Sequence, residues 1–279
     1  MATKIIIDSS SDISMEEASK LGIEILSMQV AFGEEVYYDG LNLLPDEFYN
    51  KLTNNDVLPK TSQITPFRFS EKIEELVKEG HEVIVITISS KLSATYSSAL
   101  NACQQFPGKA YAVDSLNATS GERVLCLYAL KLIEEGYSTK EIVDKLNEIK
   151  EKIVVVACVD TLEYLKKGGR ISSTTAIAGE LLSIKPIIGV VDGEVKMSSK
   201  TVGLRRAYKA LDLFIDGKEI DFNLPYCFVY SGTDKTNLLN YLEVSSHKNQ
   251  FTKIDINQIG STIGTQVGCG AVGIVYFQK

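Results

Sequence analysis

The stretch EVIVITISSKLSATYSS at residues 82–98 decides the fold prediction, because a strand, a loop and a helix follow one another in it. Residues 82–88 are almost continuously apolar and β-branched, which is typical of a strand buried on both faces. A serine-rich loop follows, and residues 93–106 have the pattern of a helix. This order is typical of an α/β protein with a mainly parallel sheet.

The same alternation extends through the first half of the chain. Apolar runs predict strands, and amphipathic segments that follow capping residues or proline predict helices. The predicted strands are residues 4–8, 24–30, 35–38 and 109–113, and the predicted helices are residues 14–21, 45–53, 66–80, 120–135 and 139–150.

The pattern changes near residue 151, where we place the boundary between an N-terminal α/β domain (1–150) with a mainly parallel sheet and a C-terminal α/β domain (151–279) with a mixed sheet. Asp192-Gly193 predicts the turn of a β-hairpin in the second domain. The other predicted strands there are residues 153–159, 226–230 and 272–277, and the predicted helices are residues 162–167, 174–182, 203–214 and 235–244.

The composition bounds the class of protein. The chain has 279 residues, 44% of them hydrophobic, and a formal net charge of −7, which argues against a general nucleic-acid binder. Its five cysteines are widely spaced and odd in number, which favours reduced thiols over disulfides or a zinc site. The apolar run at residues 5–7 is too short for a signal peptide, and no segment reaches membrane-spanning length. We therefore expect a cytoplasmic protein without stable membrane insertion.

Three polar clusters are candidates for a binding site. They are the serine-rich loop at residues 89–98, PKTSQITP at 59–66, and the glycine-rich run IGTQVGCGAVG at 263–273. A helix N-terminus offers free N–H groups to an anion, and serine and threonine hydroxyls add donors. Ordinary capping by Ser93 is the alternative for the first cluster. In the second, Thr65 and Pro66 form a normal helix start, which leaves residues 60–63 unexplained.

Catalytic chemistry finds little support in the residues. A serine nucleophile needs a base, and the only histidines are His81 and His247. No G-x-S-x-G elbow is present, so a hydrolase would need an unusual base such as Lys91. The glycine-rich run lacks the lysine of a phosphate-binding loop, and no clear helix start follows it. No metal-ligand spacing recurs either. We expect no enzyme activity, no metal and no cofactor.

A basic segment stands out against the acidic background. Residues 195–211 contain five basic residues and no acidic one. The basic side chains could form a solvated helix face, or a docking surface for an acidic partner or a phosphate.

Nine motifs follow one another along nearly the whole chain. They are DSSSD at 8–12, YYDG at 37–40, LPKTSQ at 58–63, SSKLSATYSSA at 89–99, DS at 114–115, LEYLKKGGRIS at 162–172, LLSIKPII at 181–188, GLRRAYKAL at 203–211 and the glycine-rich run. With these motifs the chain resembles the DegV family, whose members bind long-chain fatty acids. The resemblance implies two α/β domains with the ligand between them.

The resemblance implies roles for particular residues. Hydroxyl groups of Thr61, Ser62 and Ser93 would hold the fatty-acid carboxyl, and Thr265 and Gln266 would add contacts. The acyl chain would occupy an apolar tunnel.

Some family members present the bound acid to a fatty acid kinase, which forms an acyl phosphate for phospholipid synthesis. In that case Arg205, with Arg206 beside it, would serve docking to the kinase.

Three residues depart from the family pattern. Ala94 stands where glycine is common, Gln266 where histidine is usual and Cys269 where proline is common. These changes imply a carboxylate held more by neutral hydrogen bonds, or a different ligand preference. Two other functions remain open, namely a hydrolase that uses Ser93 and a lipid-sensing regulatory protein. Residues 166–170 could form either a lid or a helix C-cap.

Overall fold

The structure is a computed structural model that describes residues 2–171, 183–216 and 218–279. The helix predicted over 174–182 lies outside the described residues. The strands of the described part are β1 (Thr3–Asp8), β2 (Glu24–Leu26), β3 (Gln29–Phe32), β4 (Glu35–Tyr38), β5 (Lys60–Ser62), β6 (Glu82–Thr87), β7 (Ala110–Asp114), β8 (Ile153–Cys158), β9 (Ile184–Val191), β10 (Glu194–Val202), β11 (Cys227–Tyr230), β12 (Ile256–Gln258) and β13 (Val272–Phe277).

The helices lie between these strands, and most agree with the predicted ranges to within three residues at each end. Short 3₁₀ turns add Ser9–Ser11, Lys150–Lys152 and Lys248–Gln250. The α-helices are α1 (Met15–Leu21), α2 (Pro45–Asn54), α3 (Pro66–Lys78), α4 (Thr95–Cys103), α5 (Ser120–Glu134), α6 (Thr139–Ile149), α7 (Glu163–Lys167), α8 (Leu204–Ile215), α9 (Thr236–Val244) and α10 (Ser261–Val267).

A four-stranded parallel sheet with the order β2-β1-β6-β7 forms the centre of the first half. Its strands read as apolar runs because helices cover both faces. Ile5 and Ile7 belong to the core cluster with α5 and α6, whereas Ile6 belongs to the cluster with α3 and α4. The predicted mainly parallel sheet is confirmed.

The second half contains a mixed six-stranded sheet with the order β10-β9-β8-β13-β11-β12. Its neighbours are antiparallel except for β11 and β12. Val156 and Ile274 face α8 and α9, whereas Val155 and Val275 belong to the cluster that also contains residues of α5 and the first sheet. The predicted mixed sheet is confirmed, and one continuous core joins the two halves.

Every strand of the parallel sheet precedes residue 151, and every strand of the mixed sheet follows it. The division into domains 1–150 and 151–279 stays a prediction, because the shared core does not show two independent units.

A small antiparallel sheet with the order β4-β3-β5 lies beside the parallel one. The strand predicted over 24–30 is divided between the two sheets, with β2 in the parallel sheet and β3 in the small one. The break falls at Ser27 and Met28, where the Met28 N–H donates to the Ser9 hydroxyl at 3.0 Å. A side-chain acceptor thus replaces a strand partner at this point.

The predicted hairpin is confirmed as β9 and β10. Asp192 and Gly193 have φ values of 53° and 80°, the left-handed backbone that a two-residue hairpin turn requires. The turn packs on the serine-rich loop, where the Ser89 hydroxyl donates to the Gly193 carbonyl at 2.7 Å. This contact brings the second half of the chain against the 89–98 loop.

Candidate functional site

A largely apolar cavity of about 300 Å³ lies between the two halves, and we call it the inner cavity. Its size is at the lower end of the range for small-molecule sites, which are mostly apolar with a few polar groups. The apolar walls are Met28, Ile88, Leu92, Ala94, Ala118, Leu165, Val195, Ile263 and Val267, and the polar side chains are Thr61, Gln63, Ser93, Arg170, Thr262 and Gln266.

A second cavity of about 320 Å³ adjoins the first and is more polar, and we call it the vestibule. Thr61, Arg170 and Gln266 line both cavities and therefore stand where the two meet. Lys60 and Lys167 add positive charge to the vestibule wall, and no described acidic residue lines it. An amphipathic anion matches this pair, with its apolar part inside and its charge at the junction.

Ser93 lies just before α4, at the wall of the inner cavity. Its hydroxyl accepts the Thr95 N–H at 3.2 Å and exchanges a second hydrogen bond with the Thr95 hydroxyl at 2.9 Å. When Thr95 donates that second bond, the proton of Ser93 is free for a ligand. The N-cap of α4 is Ala94, which makes no side-chain cap, so the predicted capping by Ser93 is wrong in its position. Ser93 precedes the N-cap, and its bond to the Thr95 N–H is compatible with ligand binding.

Thr61 and Ser62 lie next to each other on β5, which pairs with β3. Successive side chains of a strand point to opposite faces. Accordingly Thr61 lines both cavities, whereas Ser62 is exposed and lines neither. No described residue hydrogen-bonds to the Thr61 hydroxyl. The structure thus brings Thr61 and Ser93 together but not Ser62, whose role stays a prediction.

The sequence did not predict α10, although the glycine-rich run overlaps it. Gly264 lowers the helix propensity of this segment. Its lack of a side chain permits close packing, because a Cβ there would lie 2.6 Å from a ring carbon of Phe48 and 2.8 Å from the hydroxyl of Tyr49. Tertiary packing on α2 therefore outweighs the local preference.

Thr265 and Gln266 lie in the last turns of α10 and both line the vestibule. The Thr265 hydroxyl donates to the Ser261 carbonyl at 2.8 Å, so its proton is already used within the helix. The side-chain oxygen of Gln266 is buried and has no partner among the described residues. Of these two, Gln266 is the better placed to bind a ligand, and its amide N–H groups, not this oxygen, are the donors that a carboxylate needs.

Three polar residues of the inner cavity, Gln63, Thr262 and Arg170, were not among the predicted contacts. Gln63 donates to the Ser98 hydroxyl at 3.1 Å. Thr262 is 3% exposed, lines the inner cavity and has a buried hydroxyl without a described partner.

Arg170 donates from Nε to the Leu92 carbonyl at 3.2 Å and from Nη1 to the Gly168 carbonyl. Arg170 therefore supplies a positive charge at the junction, where the neutral Gln266 replaces a histidine that could be cationic. The sequence signals available for Thr262 and Arg170 were the threonine immediately before the glycine-rich run and the arginine of LKKGGR at residues 165–170.

The departures at Ala94 and Cys269 have simple structural consequences. Ala94 has a φ of −75°, which every L-residue adopts, so glycine is not required there. Burial raises the pKa of the Cys269 thiol, which keeps it neutral near pH 7.

Arg205 and Arg206 are exposed in the first turn of α8. They follow β10, the edge strand that carries Lys196 and Lys200. Lys196 forms ion pairs with Asp192 at 3.3 Å and Glu194 at 3.8 Å. Neither arginine lines the inner cavity or the vestibule.

The fold and the two adjoining cavities define an α/β protein with an amphipathic internal cavity. The chain belongs to the DegV family, described as uncharacterised proteins, whose sequence profile matches residues 2–279. A DegV domain-containing protein of Caldanaerobacter subterraneus subsp. tengcongensis is 33% identical over 277 residues, which cover 99% of this chain and 98% of the relative. One from Clostridium perfringens is 33% identical over 280 residues, 98% of this chain and 96% of the relative.

Solved structures of similar proteins agree with this assignment. A fatty-acid-binding DegV family protein of Thermus thermophilus has a TM-score of 0.88 and 29% identity over 100% of both chains. DegV of Bacillus subtilis, a fatty acid binding protein, has a TM-score of 0.84 and 29% identity over 100% of both chains. A stearic acid-binding protein of Eubacterium ventriosum has a TM-score of 0.85 and 26% identity over 100% of this chain and 99% of that one.

In the part of the chain that the structure describes, no helix combines the length and apolar character needed to cross a membrane. The same residues contain no group of three or more side chains that could hold a metal ion.

Proposed function

We propose that the protein binds a long-chain fatty acid, with the acyl chain in the inner cavity and the carboxylate at the junction with the vestibule. The observation that carries this proposal is the position of Thr61, Arg170 and Gln266, which line both cavities, next to Ser93. Hydroxyl and guanidinium groups at the end of an apolar cavity match one charged head on one apolar tail.

The energetics suit a carrier. An acyl chain of about 16 carbons, at about 0.8 kcal/mol for each buried CH₂, gives a gross stabilisation near 12 kcal/mol. Association and ordering of the chain consume much of this free energy. The head group then needs only a few hydrogen bonds to fix the direction of the ligand.

The charge of the vestibule fits a role in presenting the acid. Lys60, Lys167 and Arg170 face it, although Lys167 is also paired with Glu163. This wall attracts a carboxylate and can accept the added charge of an acyl phosphate. We therefore infer a cytoplasmic, non-enzymatic binding subunit that presents fatty acid to a fatty acid kinase for phospholipid synthesis, and that docks through Arg205.

A hydrolase that uses Ser93 has no structural support among the described residues. His81 precedes β6, whose six residues separate it from the serine-rich loop by about 20 Å. The other histidine, His247, is nearly buried and its Nε2 lies 2.8 Å from Asp216. No histidine among the described residues lines the inner cavity.

Titration with a fluorescent long-chain fatty acid tests the head-group assignment. The Thr61→Ala/Ser93→Ala double variant should weaken binding at least about 100-fold, since hydrogen bonds to a charged group contribute about 1.5–3 kcal/mol each. The matched control is Thr65→Ala/Ser97→Ala, which removes two exposed hydroxyls from the neighbouring segments. Equal affinities of the two double variants would refute the assignment.

Ser62→Ala belongs in the same titration, because the resemblance and the geometry differ on this residue. A loss comparable with that of Thr61→Ala alone would restore Ser62 to the site. Because the Ser62 side chain is exposed, we expect Ser62→Ala to change the fatty-acid affinity less than twofold.

A further inference from the structure

The motifs DSSSD and YYDG each place one buried carboxyl group, of Asp12 and Asp39, at the start of α10. Asp12 accepts the Gly260 N–H at 2.8 Å through Oδ1. Asp39 accepts the Ser261 N–H at 3.0 Å and the Ser261 hydroxyl through Oδ1, and the Thr262 N–H at 3.2 Å through Oδ2. More than 200 positions of sequence separate each carboxylate from its partners.

These carboxyl groups replace the usual cap of a helix. An N-cap residue normally accepts the first free N–H groups with its own side chain. Here the N-cap is Gly260, which has no side chain, and its Cβ would lie 3.1 Å from Asp12 Oδ1 and 3.3 Å from Asp39 Oδ1. Glycine therefore permits the close approach, and the N-terminal half of the chain fixes the start of this helix.

The helix held in this way carries part of the wall of the inner cavity. Thr262, Ile263, Gln266 and Val267 all line that cavity. The backbone of Asp39 is also tied to the wall, because its N–H donates to the carbonyl of Met28 at 3.0 Å. The orientation of α10 relative to the cavity thus depends on Asp39 directly.

Thr262 links the clamp to the ligand site within one residue. Its backbone N–H is bonded to Asp39, whereas its hydroxyl is buried in the cavity wall without a described partner. An unpaired buried hydroxyl is unfavourable, and a polar group of a ligand relieves that cost. Any shift of the first turn of α10 moves this hydroxyl.

We propose that Asp39 is a positioning residue for fatty-acid binding, which holds the first turn of α10 so that the Thr262 hydroxyl, one turn before the junction residue Gln266, faces the ligand from the inner cavity. Asp12 fixes Gly260 immediately before this turn. The inference rests on the function proposed above and extends it to residues that do not line the cavity.

A double-mutant cycle with oleate as the probe tests this role. Asp39→Asn keeps the shape of the side chain but sets an amide donor against the N–H groups of α10, and we expect about a tenfold loss of oleate affinity. In a Thr262→Val background the same substitution should cost less than twofold, because the group that it positions is already absent. The matched control is Asp212→Asn, which alters a buried carboxylate bonded to Tyr241, Ser245 and Ser246 in the other core.

The possible outcomes are distinct. Equal losses from Asp39→Asn in both backgrounds, or an equal loss from Asp212→Asn, would reduce Asp39 to a structural support and overturn the inference. If Asp39→Asn does not fold, Ser261→Ala removes one donor to the same carboxylate. It should weaken oleate binding about threefold in the wild type and not in the Thr262→Val protein. A wild-type protein that does not bind oleate would overturn the proposed function, and this inference with it.

Discussion

The side-chain oxygen of Gln266 lies 2.0 Å from the place that a Cβ on Gly168 would occupy. Gly168 has a φ of −74°, which any L-residue adopts, so its backbone conformation does not require glycine. Glycine is required because the Gln266 side chain occupies the space of a Cβ. Gly168, the C-cap of α7, therefore leaves the space that the side-chain amide of Gln266 occupies at the junction of the two cavities.

Gly168→Ala should consequently displace the Gln266 side chain and weaken fatty-acid binding at least about tenfold, because a hydrogen bond to a charged carboxylate contributes about 1.5–3 kcal/mol. Stability should change little, because the colliding atom ends a flexible side chain. Calorimetric titration checks the affinity, and thermal unfolding checks the stability. In a Gln266→Ala background the substitution should have no further effect, and an undiminished loss there would contradict this reading.

Thr262→Val should affect stability and affinity in opposite directions. It removes an unpaired buried hydroxyl, whose burial costs about 1–3 kcal/mol, so the free protein should unfold at an equal or higher temperature. Fatty-acid affinity should fall at least about tenfold. Thr139→Val is the matched control. Thr139 lies on α6, and its buried hydroxyl is hydrogen-bonded to the hydroxyl of Thr3 at 2.8 Å. There we expect lower stability and unchanged affinity, and the same pattern in Thr262→Val would disprove its binding role.

The Asp12 carboxyl is buried, and burial, the largest cause, raises its pKa to about 8. Hydrogen bonds from Thr119 and Gly260 oppose this rise, as does the charge of Arg123, whereas the charge of Asp39 adds to it. The folded protein therefore holds a proton on Asp12 at a pH at which the unfolded chain, with its ordinary value of 3.8, has lost it.

The contribution of this proton to stability is complete below the unfolded value and decreases as the pH rises towards about 8. Asp12→Asn removes the titration, and its amide can still donate to Thr119 and accept from Gly260. Urea unfolding between about pH 5 and pH 8 should show a shallower decline for the variant, by up to about 1.4 kcal/mol per pH unit. Parallel declines in the two proteins would show that Asp12 does not titrate in this range.

Arg205→Ala should leave fatty-acid affinity unchanged, because Arg205 is exposed on α8 and lines neither cavity. The rate of acyl phosphate formation by a fatty acid kinase should fall about tenfold at low salt, and less at high salt, as charged docking residues affect association. Arg206→Ala, tested in parallel, shows which arginine dominates. Lys140→Ala, at an exposed position on α6, is the control. Equal rates for Arg205→Ala and this control would dismiss the docking role.

The fold could be predicted largely because its strands are local signals. The runs at residues 4–8 and 82–88 are apolar throughout, as strands buried on both faces must be, and Asp192-Gly193 encodes its turn by backbone preference. The short strands β5 and β12 escaped prediction, because the three residues of β5 are all polar and β12 has a single apolar residue, which leaves no periodicity. Their strand form depends on the pairing of β5 with β3 and of β12 with β11.

The site was less predictable for the same reason. Hydroxyl-rich clusters pointed to Thr61 and Ser93, but whether a hydroxyl is free depends on neighbours that are distant in sequence. The Thr265 hydroxyl donates to the carbonyl of Ser261 within α10, whereas the Thr262 hydroxyl has no described partner. Arg170 reaches the junction only because its guanidinium spans the carbonyls of Leu92 and Gly168.

The most direct test of fatty-acid binding is native mass spectrometry of the gently purified wild-type protein, before and after incubation with oleate. We predict a complex with one long-chain fatty acid, which solvent extraction identifies, and reduced occupancy in the Thr61→Ala/Ser93→Ala variant. A wild-type protein that keeps its unliganded mass in the presence of excess oleate would contradict the central claim.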